Sequence, residues 1–521
     1  MTGTWPLIRL ILRRDRVLLP LWVLILCSLP ATYAASFEGL LPDAASRHQY
    51  LVTTADTPSM VSLLGPVFGD SIGALTAQRV GILYAIVALI SLLTVIRHTR
   101  TEEDAGRREL IAATVVGRYA ALSAALIVTV AANLLLALLI AATLAGRGAG
   151  GALLIGLSFG TAGITFAGVG ALAAQLTEGA GAARGLAITV LGAAYLVRAA
   201  ADTSGSWFAW VSPLAWGPQT RPFAEERWWP LLLPLALLAV TAAVAYRISV
   251  GRDVGAGVIP ARLGPAEGNG LASPLALAWR LQRGLLIGWT VGLGVAGLAL
   301  GGTVSAVDEA LKDNPQMAEL MARLGGTASL SDAFAAGLFA IMAIFVAAYG
   351  IQAALRMRAE ETGLRAEPVL ATAVGRLRWA AGHVLFAVAG PALALVVLGV
   401  ALGISYGGAL NDVGGQMPRM MGAALVQLPA AAVLTGLAVA LFGLLPRLSA
   451  AAWGALAVCL LLGQVGAILQ LNQAILDISP FTHTPHLPGG DLSPTPVLAL
   501  TAVAAALIAA GLYGFRRRDI G

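Results

Sequence analysis

Two short segments of this chain carry an arrangement of charges that is rare in so apolar a sequence. Residues 100–118 read RTEEDAGRRELIAATVVGR, and residues 358–376 read RAEETGLRAEPVLATAVGR. At an offset of 258, ten of the nineteen positions are identical, and six of those ten are charged. Chance gives apolar matches in a hydrophobic chain but not charged ones in register, so the segments are copies of one element. The shared charged residues are Arg100, Glu102, Glu103, Arg107, Glu109 and Arg118 in the first copy, and Arg358, Glu360, Glu361, Arg365, Glu367 and Arg376 in the second.

The charge spacing of the first copy predicts a short helix over 101–113. Thr101 with Asp104 three residues later resembles a capping box, and Glu103 lies four residues before Arg107, which allows the two to pair. A solvated loop whose arginines only fix the topology would explain the basic residues, but not acidic ones that recur in register. Paired charges of both signs are typical of a surface that binds another protein. We therefore predict that both segments dock on a partner.

The elements that position these segments are membrane-spanning helices. The chain has 521 residues, of which 58% are hydrophobic and only 12% charged, about half the charge of a soluble domain. Apolar runs such as 119–144, which holds no charge, are long enough to cross a bilayer. The sequence therefore predicts an all-α polytopic membrane protein. We place twelve transmembrane helices near 17–36, 80–96, 119–145, 151–175, 185–200, 229–248, 284–303, 333–355, 379–405, 420–444, 450–470 and 494–514.

The distribution of basic residues predicts that both termini are cytoplasmic. With that orientation, 24 of the 33 basic residues fall in cytoplasmic segments and nine on the other face. An excess of arginine and lysine in short cytoplasmic loops is the usual determinant of orientation. Both charged segments then lie in the cytoplasm.

Further matches in the same order predict that the protein is built from two tandem six-helix repeats. Arg13, Arg16 and Trp22 match Arg280, Arg283 and Trp289 at an offset of 267, as Ser212-Pro213 matches Ser479-Pro480. Arg252-Asp253 matches Arg518-Asp519 at 266. Each copy begins and ends on the same face, so this is a parallel repeat. We divide the chain into a first transmembrane half at 1–255, a cytoplasmic linker at 256–272 and a second transmembrane half at 273–521.

The absent residue types exclude several mechanisms. Lys312 is the only lysine and follows no glycine-rich loop, so the chain holds no phosphate-binding loop of its own. None of the 27 acidic residues falls inside a predicted span, which disfavours a proton-coupled secondary transporter. No acid, base and nucleophile cluster at one face, so we expect no enzyme and no catalytic residue in this chain.

The loop between the fifth and sixth predicted spans is crowded with tryptophans on the predicted external side. Indole rings anchor at head-group level, so a belt at the membrane surface explains them, and a lid over a hydrophobic exit path is compatible with that. We expect no metal site, since His483 and His486 alone make a poor ligand set. The candidate external lip comprises Trp207, Trp210, Trp216, Ser212, Pro213, Ser479 and Pro480.

The charged segments, the two Ser-Pro motifs and the terminal GFRRRDIG together resemble the permease subunits of ABC-2-type exporters. The fused twelve-span form is similar to the actinobacterial tetronasin and multidrug efflux permeases, over essentially the whole chain. The resemblance implies that 100–118 and 358–376 form coupling loops that dock on a separate ATPase. It also implies interfacial elbow helices at 9–16 and 277–283, which hold Arg13, Arg16, Arg280 and Arg283. Pro368 replaces Leu110, a departure that would shorten or bend the second coupling helix.

The resemblance implies a multi-pass permease of the bacterial cytoplasmic membrane that exports hydrophobic or amphipathic compounds, as in antibiotic efflux. Its partners would be two copies of a separate ATP-binding subunit, which would hold the ATP and Mg, together with the lipid bilayer and a hydrophobic small-molecule substrate. We expect no nucleic-acid partner and no cofactor in this chain. The alternatives are a proton-coupled secondary drug transporter and an ATPase-coupled sensor module that transports nothing.

Overall fold

The computed structural model describes residues 2–55, 58–107, 115–253, 255–260, 268–312, 330–465 and 472–519. Within these ranges the chain is α-helical apart from turns and short 3-10 segments, and they contain no β-strand. The chain separates into two compact units, Met1–Gly264 and Pro265–Gly521.

The first unit consists of short amphipathic helices and long apolar ones. Its helices are α1 Thr4–Arg14, α2 Leu18–Leu40, α3 Ala44–Ala55, α4 Pro58–Leu64, α5 Ile72–Arg79, α6 Leu83–His98, α7 Arg100–Asp104, α8 Ala120–Leu144, α9 Ala149–Leu176, α10 Ala180–Ser204 and α11 Leu232–Gly251.

The second unit has the same mixture of lengths. Its helices are α12 Pro274–Lys312, α13 Leu330–Ala354, α14 Arg356–Thr362, α15 Ala366–Leu370, α16 Arg376–Leu410, α17 Val413–Leu425, α18 Leu428–Leu444, α19 Ala451–Val465, α20 Gln473–Leu476 and α21 Pro494–Arg517.

In the described ranges, eleven helical stretches are long and apolar enough to cross a membrane. They coincide with eleven of the twelve predicted spans. The predicted span at 450–470 is the exception, because α19 has 15 residues and the chain from 466 to 471 lies outside the described residues. A backbone that closes its own hydrogen bonds is what a bilayer requires, so uncharged alanine- and leucine-rich runs form helices here.

Small residues let the helices of each unit approach closely. In the first unit, α9 lies so near α8 that a Cβ on Gly156 would collide with the carbonyl oxygen of Ala137. In the second unit, Gly443 of α18 and Gly511 of α21 face each other in the same way. Such contacts hold membrane helices together where no hydrophobic effect is available. Asn133 adds a buried hydrogen bond from its Nδ2 to the Ser91 Oγ, at 2.9 Å.

The observed helix boundaries extend beyond the predicted spans at positions that include acidic residues. The fifth span was predicted to end at residue 200, but α10 continues to Ser204 and ends at Gly205, whose φ of +60° closes the helix. Asp202 therefore lies inside a candidate span, where its side chain is 2% exposed and 3.7 Å from the Arg198 guanidinium. Helices longer than the predicted spans also include other acidic residues near their ends, such as Glu38 and Asp332, so the absence of acidic residues at membrane depth stays a prediction.

Candidate functional site

A turn at residues 105 and 106 interrupts the predicted helix over 101–113, so the first charged segment begins with the short helix α7. It ends where Gly106 takes a φ of +69°, a left-handed conformation that closes helices and suits glycine. Residues 108–114, including Glu109 of the predicted site, lie outside the described residues. The predicted pair of Glu103 with Arg107 does not form, because the turn at Gly106 carries Arg107 to Glu102 instead.

Glu103 is the centre of a buried ionic cluster in the first unit. Its carboxylate accepts a hydrogen bond of 2.6 Å from Arg100 and two of 3.0 Å from the guanidinium of Arg252, which directly follows α11. The Glu103 and Arg100 side chains are fully buried and that of Arg252 is 8% exposed. A two-pronged guanidinium–carboxylate pair fixes both distance and orientation. The cluster therefore fastens the charged segment to the end of the last helix of its unit.

The second unit contains the same arrangement. Arg518, directly after α21, donates hydrogen bonds of 2.6 and 2.8 Å to the two carboxylate oxygens of Glu361, and Arg358 approaches the same carboxylate at 3.2 Å. We call each set an exit clamp: Arg100, Glu103 and Arg252 in the first unit, and Arg358, Glu361 and Arg518 in the second.

A second, more exposed pair also occurs twice. Arg107 donates hydrogen bonds of 2.8 and 3.0 Å to Glu102, and Arg365 donates hydrogen bonds of 2.9 and 3.3 Å to Glu360. These hydrogen bonds raise the pKa of both guanidinium groups, so their charges are permanent. The arginine side chains are 51% and 59% exposed, which leaves their outer faces open to a partner.

The end of each charged segment is tied down as well. Arg118 donates a hydrogen bond of 2.8 Å to the carbonyl oxygen of Val250, and Arg376 donates one of 2.7 Å to that of Arg518. Each segment is thus fixed at both ends to the last helix of its own unit.

The apex of the segment repeats in backbone shape but not in side chain. The second segment turns at Leu364, which has a φ of +55° where the first has Gly106. The amides of Leu364 and Arg365 donate to the carbonyls of Glu361 and Glu360, the pattern of a helix-closing turn. A left-handed leucine is strained by roughly 1 to 2 kcal/mol. Leu364 is nevertheless 65% exposed, so internal packing does not explain it. Glu367 is exposed close by.

The predicted elbow residues are all exposed, but the two elbows differ in shape. Arg13 and Arg16 flank the end of α1, whose buried residues Ile8 and Ile11 pack on Ala124 of α8. The other side of α1 exposes Trp5, Leu10 and Leu12, as in a helix that lies in a membrane surface. Arg280 and Arg283 instead belong to the first turns of the 39-residue α12, so the second elbow is not a separate helix.

The residues of the candidate external lip belong to both units. Ser212 is buried and donates a hydrogen bond of 2.7 Å to the carbonyl oxygen of Ala194, which makes it a turn-forming residue. Trp216 donates one of 2.8 Å to the Trp210 carbonyl, and the Trp210 ring stacks on Trp229 at 4.8 Å. Trp207 is among the most exposed of the large hydrophobic residues that the structure describes. Pro213, which follows Ser212, is half-buried.

In the second unit, Ser479 and Pro480 are buried at the start of a short 3-10 segment. The belt and the lid both remain predictions.

Two polar clusters were not among the predicted site residues. Asp15, after α1, is buried against His98 at 2.6 Å and Arg97 at 3.1 Å. Arg198 donates hydrogen bonds of 3.0 and 2.8 Å to the carbonyls of Ser62 and Leu63, and so holds α4 against α10. A signal for the second was present in the sequence, since an arginine four residues before an aspartate at the end of an apolar run is the spacing of a helical ion pair.

The amino-acid sequence of this chain was compared with family models and with known proteins, and both comparisons found a match. A family model described as the C-terminal domain of the multidrug efflux system permease Rv1217c matches residues 271–516. The chain is 44% identical over 523 residues to the multidrug efflux system permease protein Rv1217c of Mycobacterium tuberculosis (strain ATCC 25618 / H37Rv). That alignment covers 100% of this chain and 95% of the relative, so the similarity includes both charged segments.

Proposed function

The chain belongs to the family of multidrug efflux system permeases, and we propose that it is the membrane subunit of an ATP-driven exporter whose ATPase is a separate protein. The relative's name assigns efflux of drugs to that protein, and the apolar helices of this chain suit hydrophobic or amphipathic cargo. ATP and Mg would be bound by the partner, since the sequence has no phosphate-binding loop.

We propose a membrane architecture of twelve spans in two tandem six-helix halves, with both termini in the cytoplasm of a bacterial cell. The two exit clamps support the tandem repeat, because their six residues correspond at the offsets of 258 and 266 found in the sequence. Cysteines placed singly at Ala105 and Ser204, which are both exposed, test the orientation. The native Cys27 and Cys459 are buried, so background labelling is low. Labelling from the same side of the membrane contradicts the topology.

The single observation that carries the docking proposal is Leu364. An exposed apolar side chain in a strained conformation at the apex of a charged segment is explained by a partner surface that receives it. Each apex has an exposed arginine beside it, Arg107 in the first half and Arg365 in the second. These charges would fix the position of the partner on the segment. We infer two docking sites, one on each segment, and therefore two ATPase copies.

The exit clamps supply the route by which movement of a docked ATPase would reach the membrane. A force on either segment acts on Glu103 or Glu361, and through the paired guanidinium on the last helix of that half. A buried, two-pronged pair resists separation, because either group alone would be left as an unpaired charge. The segment and the helix would move together.

The experiment is a mild-detergent pull-down of the tagged chain from its native membrane, followed by mass spectrometry. We expect a Walker-motif ATPase in about twofold excess. Leu364→Gly removes the apical side chain and relieves the backbone strain, so the variant should remain folded while it loses up to half of the ATPase, the copy that docks on the second segment. Arg447→Gln removes an exposed arginine elsewhere on the same predicted face and should retain it. Full recovery with Leu364→Gly contradicts docking at the apex, and absence of any ATPase from the unaltered chain contradicts an ATP-driven exporter.

The buried Asp202 favours one competing function, a proton-coupled secondary transporter. Such carriers need a buried ionisable group. The Asp202 side chain is buried beside Arg198, two residues before the end of a candidate span. Transport that continues without the ATPase, collapses with the proton gradient and is lost in Asp202→Asn would establish that function. Transport that requires the ATPase and survives Asp202→Asn would eliminate it.

A further inference from the structure

The second half contains a cavity of about 260 Å³ beside the start of its charged segment. It lies among α12, α13 and α19, next to the first turn of α14. Leu281, Leu285, Leu355 and Trp453 form its apolar walls, and Gln352 and Arg356 supply polar groups. An apolar hollow with a cationic side chain at its edge fits a molecule that has an acidic head and an apolar body.

The charges around Arg356 leave a positive surplus. Glu360 is the nearby carboxylate, and its two oxygens already accept both hydrogen bonds from Arg365. Arg356 lies 2.9 Å from the same carboxylate, so two guanidinium groups share one negative charge. The Arg356 side chain is 38% exposed, which leaves it accessible to a further anion.

The first half shows what would neutralise this position. At the offsets of the repeat, Asp15 corresponds to Gln282 and His98 to Arg356. In the first half the Asp15 carboxylate is buried against His98 and Arg97. At the offset of the repeat, Arg97 corresponds to Leu355, and Arg356 stands where the first half has His98. Gln282, in place of Asp15, is a neutral amide whose Nε2 donates to the carbonyl oxygen of Ala353 at 3.3 Å. The second half therefore has a permanent cation at the position of His98 and no carboxylate at the position of Asp15, so Arg356 shares Glu360 with Arg365.

The surroundings identify the source of the missing anion as the membrane. In the proposed orientation the cavity lies at the cytoplasmic membrane surface, where Trp453, which is 40% exposed, is a typical interfacial residue. Ile287 of α12 and Leu461 of α19 are exposed further along the same helices and offer an apolar surface to acyl chains. Basic pockets between membrane helices on the cytoplasmic side bind acidic lipid head groups.

We propose that this cavity is a binding site for an acidic phospholipid, whose phosphate pairs with Arg356 and whose acyl chains lie against Leu281, Leu285 and Trp453. The bound lipid would complete in the second half the ionic cluster that Asp15 completes in the first. The proposal rests on the proposed orientation but not on the partner ATPase.

The test uses the full chain in nanodiscs that contain either phosphatidylglycerol or phosphatidylcholine, with bound lipid counted by native mass spectrometry after gentle release. The unaltered chain should retain phosphatidylglycerol in preference to phosphatidylcholine. Arg356→Gln should weaken that retention about fivefold, the effect of one basic residue at a membrane surface. Arg447→Gln, the matched control outside the cavity, should leave it unchanged.

A second variant keeps the proposal testable if Arg356→Gln fails to fold. Gln282→Glu has nearly the same volume and restores a carboxylate at the position of Asp15, so it should reduce phosphatidylglycerol retention while Arg356 is intact. Equal retention by both variants and the unaltered chain overturns the proposal, as does a retained molecule that is not a phospholipid. Because no ATPase is present in this assay, such a result would leave the proposed exporter function untouched.

Discussion

The charged segments of the two halves share a core and differ in what surrounds it. In both, a glutamate pairs with the arginine that follows the last helix. In the first half Arg100 is fully buried and also donates hydrogen bonds to the carbonyl oxygens of Glu178, Gly255 and Ala256. In the second half Arg358 is 29% exposed and donates to Glu361. The first segment is therefore embedded in its half, while the second is held mainly by its clamp.

The two halves therefore have one feature in common, the exit clamp, and other features that occur in only one half. If each segment docks on an ATPase, each must be fastened to its own half, and the exit clamp is the device they share. The carbonyl contacts of Arg100 and the cluster of Asp15 add rigidity to one half. The surplus cation at Arg356 and the strained Leu364 add binding capacity to the other.

Among the described residues, the opposite ends of the halves share no ionic contact of this kind. The first half uses Arg198, which holds α4 through two carbonyl oxygens. The second uses an ion pair of 2.6 Å between Asp332 of α13 and Arg419 of α17. These residues do not correspond at the repeat offsets. The common demand on the two halves therefore lies at the charged segments.

The largest expected effect is a loss of stability, which should differ between the two exit clamps because their side chains are buried to different extents. Glu103→Gln leaves two buried guanidinium groups without their carboxylate, which costs about 3 to 5 kcal/mol and will abolish folding or lower the thermal midpoint sharply. Glu361→Gln leaves more exposed arginines and should cost about 1 to 2 kcal/mol. Thermal unfolding of the purified variants measures both. Equal losses would remove the distinction between an embedded and a clamped segment.

The next experiment asks whether the pair itself, and not each residue separately, holds the second segment. Glu361→Arg and Arg518→Glu should each destabilise the chain, whereas the double exchange should recover part of the loss. A double-mutant cycle is expected to give a coupling energy of about 1 to 3 kcal/mol. Additive losses would show that the two residues act independently. Co-purification of the ATPase with the double variant then shows whether docking requires the carboxylate at position 361 and the guanidinium at position 518, or only a pair of opposite charges.

The positions of the helices and the importance of the charged segments could be predicted from the sequence, because uncharged runs and recurring charges are local features. The partners of the charges could not. Arg252 and Arg518 were recognised as a matching pair, yet their contact with glutamates about 150 residues away depends on where the last helix of each half packs. The pairing of Arg107 with Glu102 depends on the left-handed turn at Gly106, which shortens α7.

The end of α10 was misplaced for a physical reason of the same kind. The span was predicted over 185–200, which includes Arg198 and ends before Asp202. The structure buries that guanidinium by giving it backbone carbonyls of α4, and the helix continues past Asp202 to a glycine cap. A charged side chain indicates the end of a membrane span only when the protein offers it no polar partner in its interior.

A smaller effect is expected where Arg198 holds α4. Arg198→Gln removes two hydrogen bonds to carbonyl oxygens, which should favour local opening by about 1 to 2 kcal/mol. A cysteine at Met60 of α4 should then react with a membrane-impermeant maleimide roughly 5 to 30 times faster. Arg419→Gln, in the second half, should leave this rate unchanged. A rate that does not respond to Arg198→Gln would contradict the role of Arg198 as the tether of α4.

The smallest effect on stability is expected for glutamine variants of Arg107 and Arg365, and these variants test docking most directly. Arg107 and Arg365 are more than half exposed and pair with glutamates on their own segments, so replacing either with glutamine should cost less than about 1 kcal/mol. If these arginines contact only Glu102 and Glu360, ATPase recovery in the pull-down should follow the small change in stability. If their outer faces bind the partner, recovery should fall severalfold in folded protein, and more in the double variant than in either single one. The effect should also increase with lower salt, since exposed charges are screened by ions. Normal recovery in the double variant at low salt would confine Arg107 and Arg365 to an internal role and leave Leu364 as the remaining candidate contact.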